Sequence, residues 1–211
     1  MAASSTGSLA MRLQEYFDQL APTWDKELTQ ERLERLGNIV KELGIEPGYC
    51  VLDIGSGTGA LLPFLIAELG NEGKIVALDF SAEMLSQAQA KNFPPIVHFA
   101  QADVLAIPLA DSSADLAICN SAFPHFSDKV KALKEIARVL KNNGRLVICH
   151  TMSREMLNQL HQSIGSIVAN DLLPDESQLR WLIKQAGLKI THFEDSPERY
   201  LVIAEKSALM D

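Results

Sequence analysis

The apolar positions at the start of the chain follow a helical period. They recur at helical spacing through residues 9–20, stop at Pro22, and resume from 24 to 43. Residues 1–8 are small and polar, and they lack the charged and apolar regions of a signal peptide. The pattern therefore predicts a disordered leader over 1–8 and a helical N-terminal segment over 9–44.

From residue 49 onward, short apolar segments alternate with amphipathic ones. The predicted strands cover residues 49–54, 74–78, 96–100, 114–119 and 145–149. The predicted helices between them cover 58–69, 81–91 and 128–140, and a turn is predicted at 142–144. The second of these helices is predicted to be capped by Ser81. The strand cores are almost entirely apolar, which is typical of strands buried on both faces. The alternation predicts a doubly wound α/β fold, a parallel sheet with helices on both sides.

The pattern changes after residue 150. Two amphipathic helices are predicted, over 152–168 and 175–185. Two strands follow, over 188–194 and 200–205. Such a pair predicts a hairpin, which would complete a seven-stranded, mostly parallel sheet.

Composition narrows the classes of function. The 211 residues suit one domain, and the net charge of -8 comes without any cluster of Lys or Arg, so we expect no nucleic-acid partner. No apolar run is long enough to span a membrane. Three cysteines without paired spacing fit a reducing compartment. We expect a soluble, cytoplasmic protein, and we leave a homodimer open.

A glycine-rich segment joins the first predicted strand to the next helix. Gly55, Gly57 and Gly59 stand directly after that strand. Such glycines let the backbone turn tightly and let a ligand approach without a Cβ in the way. Asp79 ends the next strand, where an acid accepts hydrogen bonds from both hydroxyls of a ribose. The two features predict a nucleoside cofactor across the carboxyl ends of the first two strands.

Two nucleoside cofactors compete for this arrangement, because the glycines also satisfy the loose dinucleotide fingerprint. Three features favour S-adenosylmethionine. Asp53 can hold the ammonium of a methionyl group but would repel a pyrophosphate. Asp103, after the third strand, offers an acceptor for an adenine amino group. No tyrosine is followed four residues later by lysine, which a short-chain reductase would need.

Four segments, in order, resemble the motifs of class I S-adenosylmethionine-dependent methyltransferases, specifically of the ubiquinone/menaquinone-biosynthesis-like group. They are the glycine segment 51–59, the ribose-binding-like segment 77–85, the adenine-binding-like segment 101–109 and the turn 138–146. Tyr16-Phe17-Asp18 and Trp24-Asp25 resemble the lid helix of such enzymes. The chain departs from the family at 142–144, where Asn-Asn-Gly replaces the usual Pro-Gly-Gly. After Thr151 it matches no subfamily with a nameable acceptor.

The resemblance implies a set of cofactor-binding residues. These are Tyr16, Trp24, Asp53, Gly55, Ser56, Gly57, Gly59, Asp79, Phe80, Met84, Ala102, Asp103, Val104 and Asn120. Phe80 is implied to pack on the adenine. The alternatives are that Asp53 and Asp79 are cap or turn residues, and that Phe80 and Met84 belong to the core.

The acceptor side is predicted to lie beyond the fourth and fifth strands. His125 follows the fourth strand and His150 ends the fifth, so both should flank the mouth of the site. Each could act as a general base or position the acceptor, or could be a partly buried loop residue bonded to the backbone. Arg154 and His161 lie two turns apart on the next helix, and we expect them to line the acceptor pocket. The cysteines that end these strands lack metal-site spacing, so we predict no metal.

The predicted reaction is methyl transfer to a small-molecule acceptor by in-line displacement. For such a reaction the protein mainly aligns the partners and excludes water. We expect one domain, comprising a helical lid (9–44), a cofactor-binding core (49–150) and acceptor-side helices with a terminal hairpin (151–211). The alternatives are a non-catalytic S-adenosylmethionine-binding protein and a nicotinamide-dependent reductase. The methylated atom (oxygen, nitrogen, carbon or sulfur) stays open.

Overall fold

The computed structural model describes residues 3–207. Within that range the α-helices are α1 (Ala3–Leu20), α2 (Gln30–Glu42), α3 (Leu62–Leu69), α4 (Ala82–Gln89), α5 (Lys129–Val139), α6 (Arg154–Ile164) and α7 (Glu176–Gln185). The strands are β1 (Cys50–Ile54), β2 (Lys74–Asp79), β3 (Val97–Gln101), β4 (Ala114–Asn120), β5 (Leu140–His150), β6 (Leu188–Asp195) and β7 (Tyr200–Lys206). A 3₁₀ helix, Ala21–Glu27, joins α1 to α2.

The seven strands of the described residues form one sheet in the order β3-β2-β1-β4-β5-β7-β6. The first five strands pair in parallel. The strand β7 pairs antiparallel with both β5 and β6, as the predicted hairpin requires. The order reverses direction between β1 and β4, and in open α/β sheets a ligand binds at such a switch point, beyond the carboxyl ends of the strands. The prediction of a doubly wound, mostly parallel seven-stranded sheet is confirmed.

Both faces of the sheet are buried by helices. In β1, Leu52 and Ile54 pack with residues of α5 and α7. Val51, which points to the other face, packs with residues of α2 and α3. A strand covered on both faces needs apolar residues at consecutive positions, which explains why the strand cores lack alternation.

Side-chain caps set several helix boundaries. Ser81 accepts a hydrogen bond from the Met84 amide and begins α4. Asp128 and Asp175 do the same at α5 and α7. A capping oxygen satisfies a backbone donor that has no partner within the helix. The cap predicted at Ser81 is therefore present. No helix of the described residues is long and apolar enough to cross a membrane.

Several boundaries differ from the sequence-based predictions, and three of them have a visible local cause. Helix α1 begins at Ala3, so the predicted disordered leader is helical over 3–8, where no proline interrupts the backbone ladder. Helix α6 ends at Ile164, because Gly165 takes a left-handed conformation with φ of 62°. The predicted turn at 142–144 lies inside β5 as an irregularity opposite β4, and Asn143 there has φ of 63°.

Candidate active site

The glycine loop after β1 is held by the carboxylate that ends β2. Asp79 Oδ2 accepts a hydrogen bond from the Gly57 amide at 2.8 Å, and Oδ1 accepts one from the Ser81 amide at 2.8 Å. Gly55 and Gly57 have φ values of 70° and 54°, a region that favours glycine. Burial raises the pKa of Asp79, although the hydrogen bonds from these backbone amides act in the opposite direction. Each carboxylate oxygen keeps a further lone pair, so the side chain can also accept ligand hydroxyls.

Beside this loop, two buried polar side chains lack partners. Within the described residues, neither Asp53 Oδ2 nor Ser56 Oγ has a hydrogen-bond partner. Burial, and secondly the charge of Asp79, raise the pKa of Asp53 to about 8. An unpaired buried carboxyl is unfavourable unless a ligand supplies a donor or a cation. The ammonium of a methionyl group would supply both, so these residues fit S-adenosylmethionine.

A cavity of about 550 Å³ opens over these groups. Nearly all of the predicted cofactor-binding residues line it, namely Tyr16, Trp24, Asp53, Gly55, Ser56, Gly57, Asp79, Phe80, Met84, Ala102, Asp103, Val104 and Asn120. Their contacts with a bound cofactor remain predictions. Asp103 is exposed, and its Oδ1 already accepts the Leu105 amide at 2.9 Å, so Oδ2 is the oxygen left for an adenine amino group.

Gly59 differs from the other predicted cofactor-binding residues in that it does not line the cavity. A Cβ on it would lie 2.9 Å from Leu62 and 3.0 Å from Phe93, and its φ is 84°. Glycine is therefore needed here for the packing of the loop against α3 and the segment after α4. A contact of Gly59 with the cofactor stays a prediction.

Aromatic side chains of the N-terminal segment cover the cavity. The ring of Phe17 lies 5.8 Å from that of Phe80, 5.9 Å from that of Trp24 and 5.1 Å from that of His125, measured between centroids. Trp24 Nε1 would lie 3.9 Å from a Cβ on Gly57. These edge-to-face contacts pack the N-terminal segment over both halves of the site, and its action as a lid over a bound cofactor stays a prediction.

Two carboxylates attach the same segment to the cofactor-binding core. Asp18 accepts a hydrogen bond from Ser81 Oγ at 2.5 Å. Asp25 accepts one from Thr58 Oγ1 at 2.5 Å and pairs with Lys91 Nζ at 2.7 Å. Sequence patterns did not identify Asp18 or Asp25 as anchors, because their partners lie 63 and 33 residues away.

The acceptor side of the cavity contains two of the four predicted polar residues. His125 and His161 line the wall. His125 Nδ1 lies 2.9 Å from Asp171 Oδ2, and His161 Nδ1 contacts the Asp171 carbonyl oxygen. Asp171 lies in the loop between α6 and α7. Because it forms no motif with either histidine, the sequence alone does not identify it.

The other two predicted residues lie elsewhere. His150 is buried behind the cavity wall, its ring 6.0 Å from that of Tyr200, and neither ring nitrogen has a partner among residues 3–207. Burial first, and then the charges of nearby histidines, lower the pKa of His150 to about 3, so it is neutral at physiological pH. Arg154 begins α6 and faces Asp195, 4.0 Å away, instead of the cavity. The prediction that these two side chains line the acceptor pocket is therefore wrong for this structure.

Across the described part of the chain, no group of three or more His, Cys, Asp or Glu side chains is placed to hold a metal ion. Cys119 and Cys149 are buried, and burial raises the pKa of both thiols. A protonated buried thiol is a poor metal ligand. The expectation of no metal stays a prediction.

Known proteins resemble the chain over most of its length. Residues 45–187 match the family model described as a methyltransferase domain. The chain is 28% identical over 182 residues to the ubiquinone/menaquinone biosynthesis C-methyltransferase of Marinomonas sp. (strain MWYL1), covering 74% of this chain and 72% of that protein. It is 31% identical over 172 residues to the demethylmenaquinone methyltransferase of Corynebacterium kroppenstedtii, covering 71% and 72%.

A solved structure resembles the chain over a larger share of its length. The S-adenosylmethionine-dependent methyltransferase of Aquifex aeolicus superposes with a TM-score of 0.71 at 25% identity, covering 92% of this chain and 98% of that one. The family match spans more than half of the 211 residues. The resemblance inferred from the motifs is thereby confirmed, together with the cofactor. The chain belongs to the methyltransferase domain family and is a class I S-adenosylmethionine-dependent methyltransferase of the ubiquinone/menaquinone-biosynthesis type.

Proposed function

We propose that the acceptor is a small hydroxylated ring compound with an apolar tail, methylated at a ring carbon. The observation that carries this proposal is one continuous cavity with two kinds of wall. Its inner part is polar, with Asn120, Ser121, His125 and His161 beyond the cofactor-binding residues. Its mouth is apolar. A ligand that satisfies both parts has a polar head inside and an apolar tail outside.

The apolar mouth comes from α6. Met156, Leu160 and Ile164 are spaced four residues apart, so they share one face of that helix. They are 49%, 41% and 47% exposed, and Leu160 and Ile164 also line the cavity. Large apolar side chains left in contact with water beside a cavity favour an apolar ligand.

The relatives' names support methylation at carbon, since one is called a C-methyltransferase and another acts on demethylmenaquinone by name. A ring carbon becomes nucleophilic when a neighbouring hydroxyl loses its proton. When bound, S-adenosylmethionine supplies a methyl carbon that is strongly electrophilic because it is attached to a sulfonium. The chain's own residues would align this pair and exclude water, with Asp53 and Asp79 holding one partner and the lid closing over both.

The experiment uses reduced 1,4-naphthoquinones with alkyl side chains of increasing length and a free ring carbon. We expect S-adenosylhomocysteine to form, and KM to fall by up to about fourfold for each methylene that the α6 face covers, equivalent to about 0.8 kcal/mol. In the double variant Leu160→Ser, Ile164→Ser, KM should lose most of this dependence on chain length. The rate of S-adenosylhomocysteine release, measured across the series, gives both results.

Trp181→Ser is the matched control, because Trp181 is also an exposed apolar residue, 57% exposed, but lies on α7 away from the cavity. This variant should keep the wild-type dependence on chain length. A KM that does not change with chain length would contradict the apolar tail. Absence of turnover with every naphthoquinol would contradict the acceptor class.

The proposal includes a location in the cell. We place the enzyme in the cytoplasm, which the three free cysteines support because a reducing compartment keeps them as thiols. The possible homodimer, which the sequence left open, stays a prediction.

A further inference from the structure

The polar end of the acceptor cavity contains two imidazoles that share one residue. His125 ends the short turn after β4, and His161 lies on α6. Their ring centroids are 5.1 Å apart, with the ring planes inclined by 35°. Asp171 contacts both rings, through its carboxylate at His125 and through its backbone carbonyl at His161. Three separate parts of the chain therefore converge at the cavity wall.

These contacts determine which nitrogen each ring offers to a ligand. The Asp171 backbone carbonyl can only accept, so Nδ1 of His161 must carry a proton and donate it. An ionised carboxylate can also only accept, so Nδ1 of His125 donates to the Asp171 side chain in the same way. In a neutral imidazole the other nitrogen, Nε2, then carries a lone pair. Both Nε2 atoms are thus hydrogen-bond acceptors. A cavity wall with two such acceptors suits a ligand that brings an acidic hydroxyl.

The two histidines are not equivalent, because only one faces a negative charge. A carboxylate beside Nδ1 stabilises a ring that has taken up a proton at Nε2, whereas a carbonyl does so much less. Burial lowers the pKa of His161, although the Asp171 carbonyl opposes this effect. His161 therefore stays neutral more readily than an exposed histidine would.

Other charged groups close to the pair are few. Lys129 Nζ is bound by the carbonyl oxygens of Pro124 and Phe126, and its positive charge interacts with Asp171. His150 lies behind the pair and is neutral at physiological pH. Arg32 lines the cavity from α2. Asp171 is thus the negative group that directly contacts His125.

The loop with Asp171 is fixed to α6 by more than one contact. Asn158 donates to the Leu173 carbonyl at 3.1 Å and accepts from the Leu173 amide at 2.9 Å. His161 binds the Asp171 carbonyl on the same helix face. The Asp171 carboxylate is therefore presented to His125 by a rigid support, as a positioning residue requires.

We propose that His125 is the general base that removes the hydroxyl proton of the acceptor, and that Asp171 and His161 position it. The inference rests on the proposed function, since it assigns the acceptor a hydroxyl. In the step, the O–H bond breaks, an N–H bond forms at His125 Nε2, and the electron pair of the O–H bond stays on the acceptor oxygen. The Nδ1–H hydrogen bond to Asp171 balances the resulting imidazolium. Once the ring carbon carries the methyl group, the hydrogen on that carbon leaves as a proton to water, and the proton held at His125 Nε2 returns to the acceptor oxygen.

The test uses 4-nitrophenol as a chromogenic hydroxyl probe, bound to enzyme saturated with S-adenosylhomocysteine. Absorption of the phenolate band reports the proton position without turnover. With wild type, we expect a larger ionised fraction of bound probe than of free probe at the same pH. His125→Gln should abolish this gain, as should Asp171→Ala. Asp171→Asn should restore part of it, because the amide oxygen still accepts the Nδ1–H bond without supplying a charge.

Turnover gives a second readout. With a naphthoquinol that wild type methylates, His125→Gln should lower kcat by roughly 100- to 10,000-fold, the usual contribution of a positioned base, while changing KM much less. His98→Gln, which removes an exposed histidine on β3, should match wild type in both assays.

The outcomes separate this inference from the proposed acceptor. If no naphthoquinol is methylated but the bound probe is ionised in a His125-dependent way, the acceptor proposal fails and the base assignment stands. If His125→Gln ionises the probe as wild type does, or if wild type does not bind the probe, the assignment of His125 is overturned. If Asp171→Asn and Asp171→Ala lower the ionised fraction of bound probe equally, the hydrogen bond that the amide oxygen keeps does not position His125. That result would overturn the positioning role of this bond.

Discussion

Replacing Asp79 by alanine should weaken S-adenosylmethionine binding by roughly 30- to 1000-fold. The expectation comes from two hydrogen bonds between ribose hydroxyls and one carboxylate. Each contributes roughly 1.5–3 kcal/mol, and about 2–4 kcal/mol is expected for the pair, because bonds to one group are not additive. At about 1.4 kcal/mol per tenfold, this range gives the stated loss of affinity.

The structure adds a second expected effect of this substitution. Because Asp79 also accepts the Gly57 and Ser81 amides, its removal leaves one half-buried and one buried donor without that partner. We therefore expect a lower melting temperature for Asp79→Ala as well. The sequence left open that Asp79 is a turn residue, and its contacts with the two amides give it such a structural part in addition. Asp79→Asn should be milder in affinity, since the amide keeps one acceptor oxygen.

Calorimetric affinity and melting temperature, measured on the same variants, separate the two effects. Asp175→Ala is the control for stability alone, because Asp175 caps α7 away from the cavity. Its loss should lower the melting temperature and leave cofactor affinity unchanged. An Asp79→Ala protein that binds within about threefold of wild type, well under 1.4 kcal/mol, would remove Asp79 from the site.

Removing residues 1–28 should weaken cofactor binding by about two orders of magnitude. The deletion takes away the Phe17 and Trp24 rings and the anchors Asp18 and Asp25. Burial of one large apolar side chain contributes about 1.5–3 kcal/mol, and a loss of about 2.7 kcal/mol corresponds to the stated factor. Thr29 is retained because its side chain caps α2 by accepting the Arg32 amide.

Circular dichroism and thermal melting establish whether the shortened chain folds, and calorimetry gives its affinity. Removal of residues 1–8 is the control and should leave binding intact. Phe17→Ala keeps the chain length and should lower the affinity in the same direction by a smaller factor. A chain of residues 29–211 that folds and binds S-adenosylmethionine as tightly as wild type would refute the lid.

Much of the fold was predictable because its signals are local. The consecutive apolar residues of the strands and the cap at Ser81 each act within one element, and each matches the structure. Asp79 was predictable because its position at a strand end follows from a short spacing to the glycines. Boundaries were less predictable. The bulge at Asn143 depends on pairing with β4, which no local pattern reveals.

The acceptor side was less predictable, because long-range contacts determine it. His125 and Asp171 are 46 residues apart and meet only after α6 and its loop pack beside β4. Arg154 and His161 were expected on one face from helical spacing. However, Arg154 occupies the first position of α6, where Asp195 of β6 binds its amide at 2.8 Å. Spacing predicts which residues share a face, but packing decides what that face contacts.

The most direct test of the central claim is a calorimetric titration of the full chain with S-adenosylmethionine and, separately, with NADH at neutral pH. We predict one S-adenosylmethionine bound per chain and no binding of NADH, because the buried Asp53 carboxyl gains a cationic partner from an ammonium and none from a pyrophosphate. Since burial raises the pKa of Asp53 to about 8 in the free protein, its ionisation on binding should release protons, so the heat should vary with the buffer's ionisation enthalpy. Tight binding of NADH, or no binding of S-adenosylmethionine, would contradict the account.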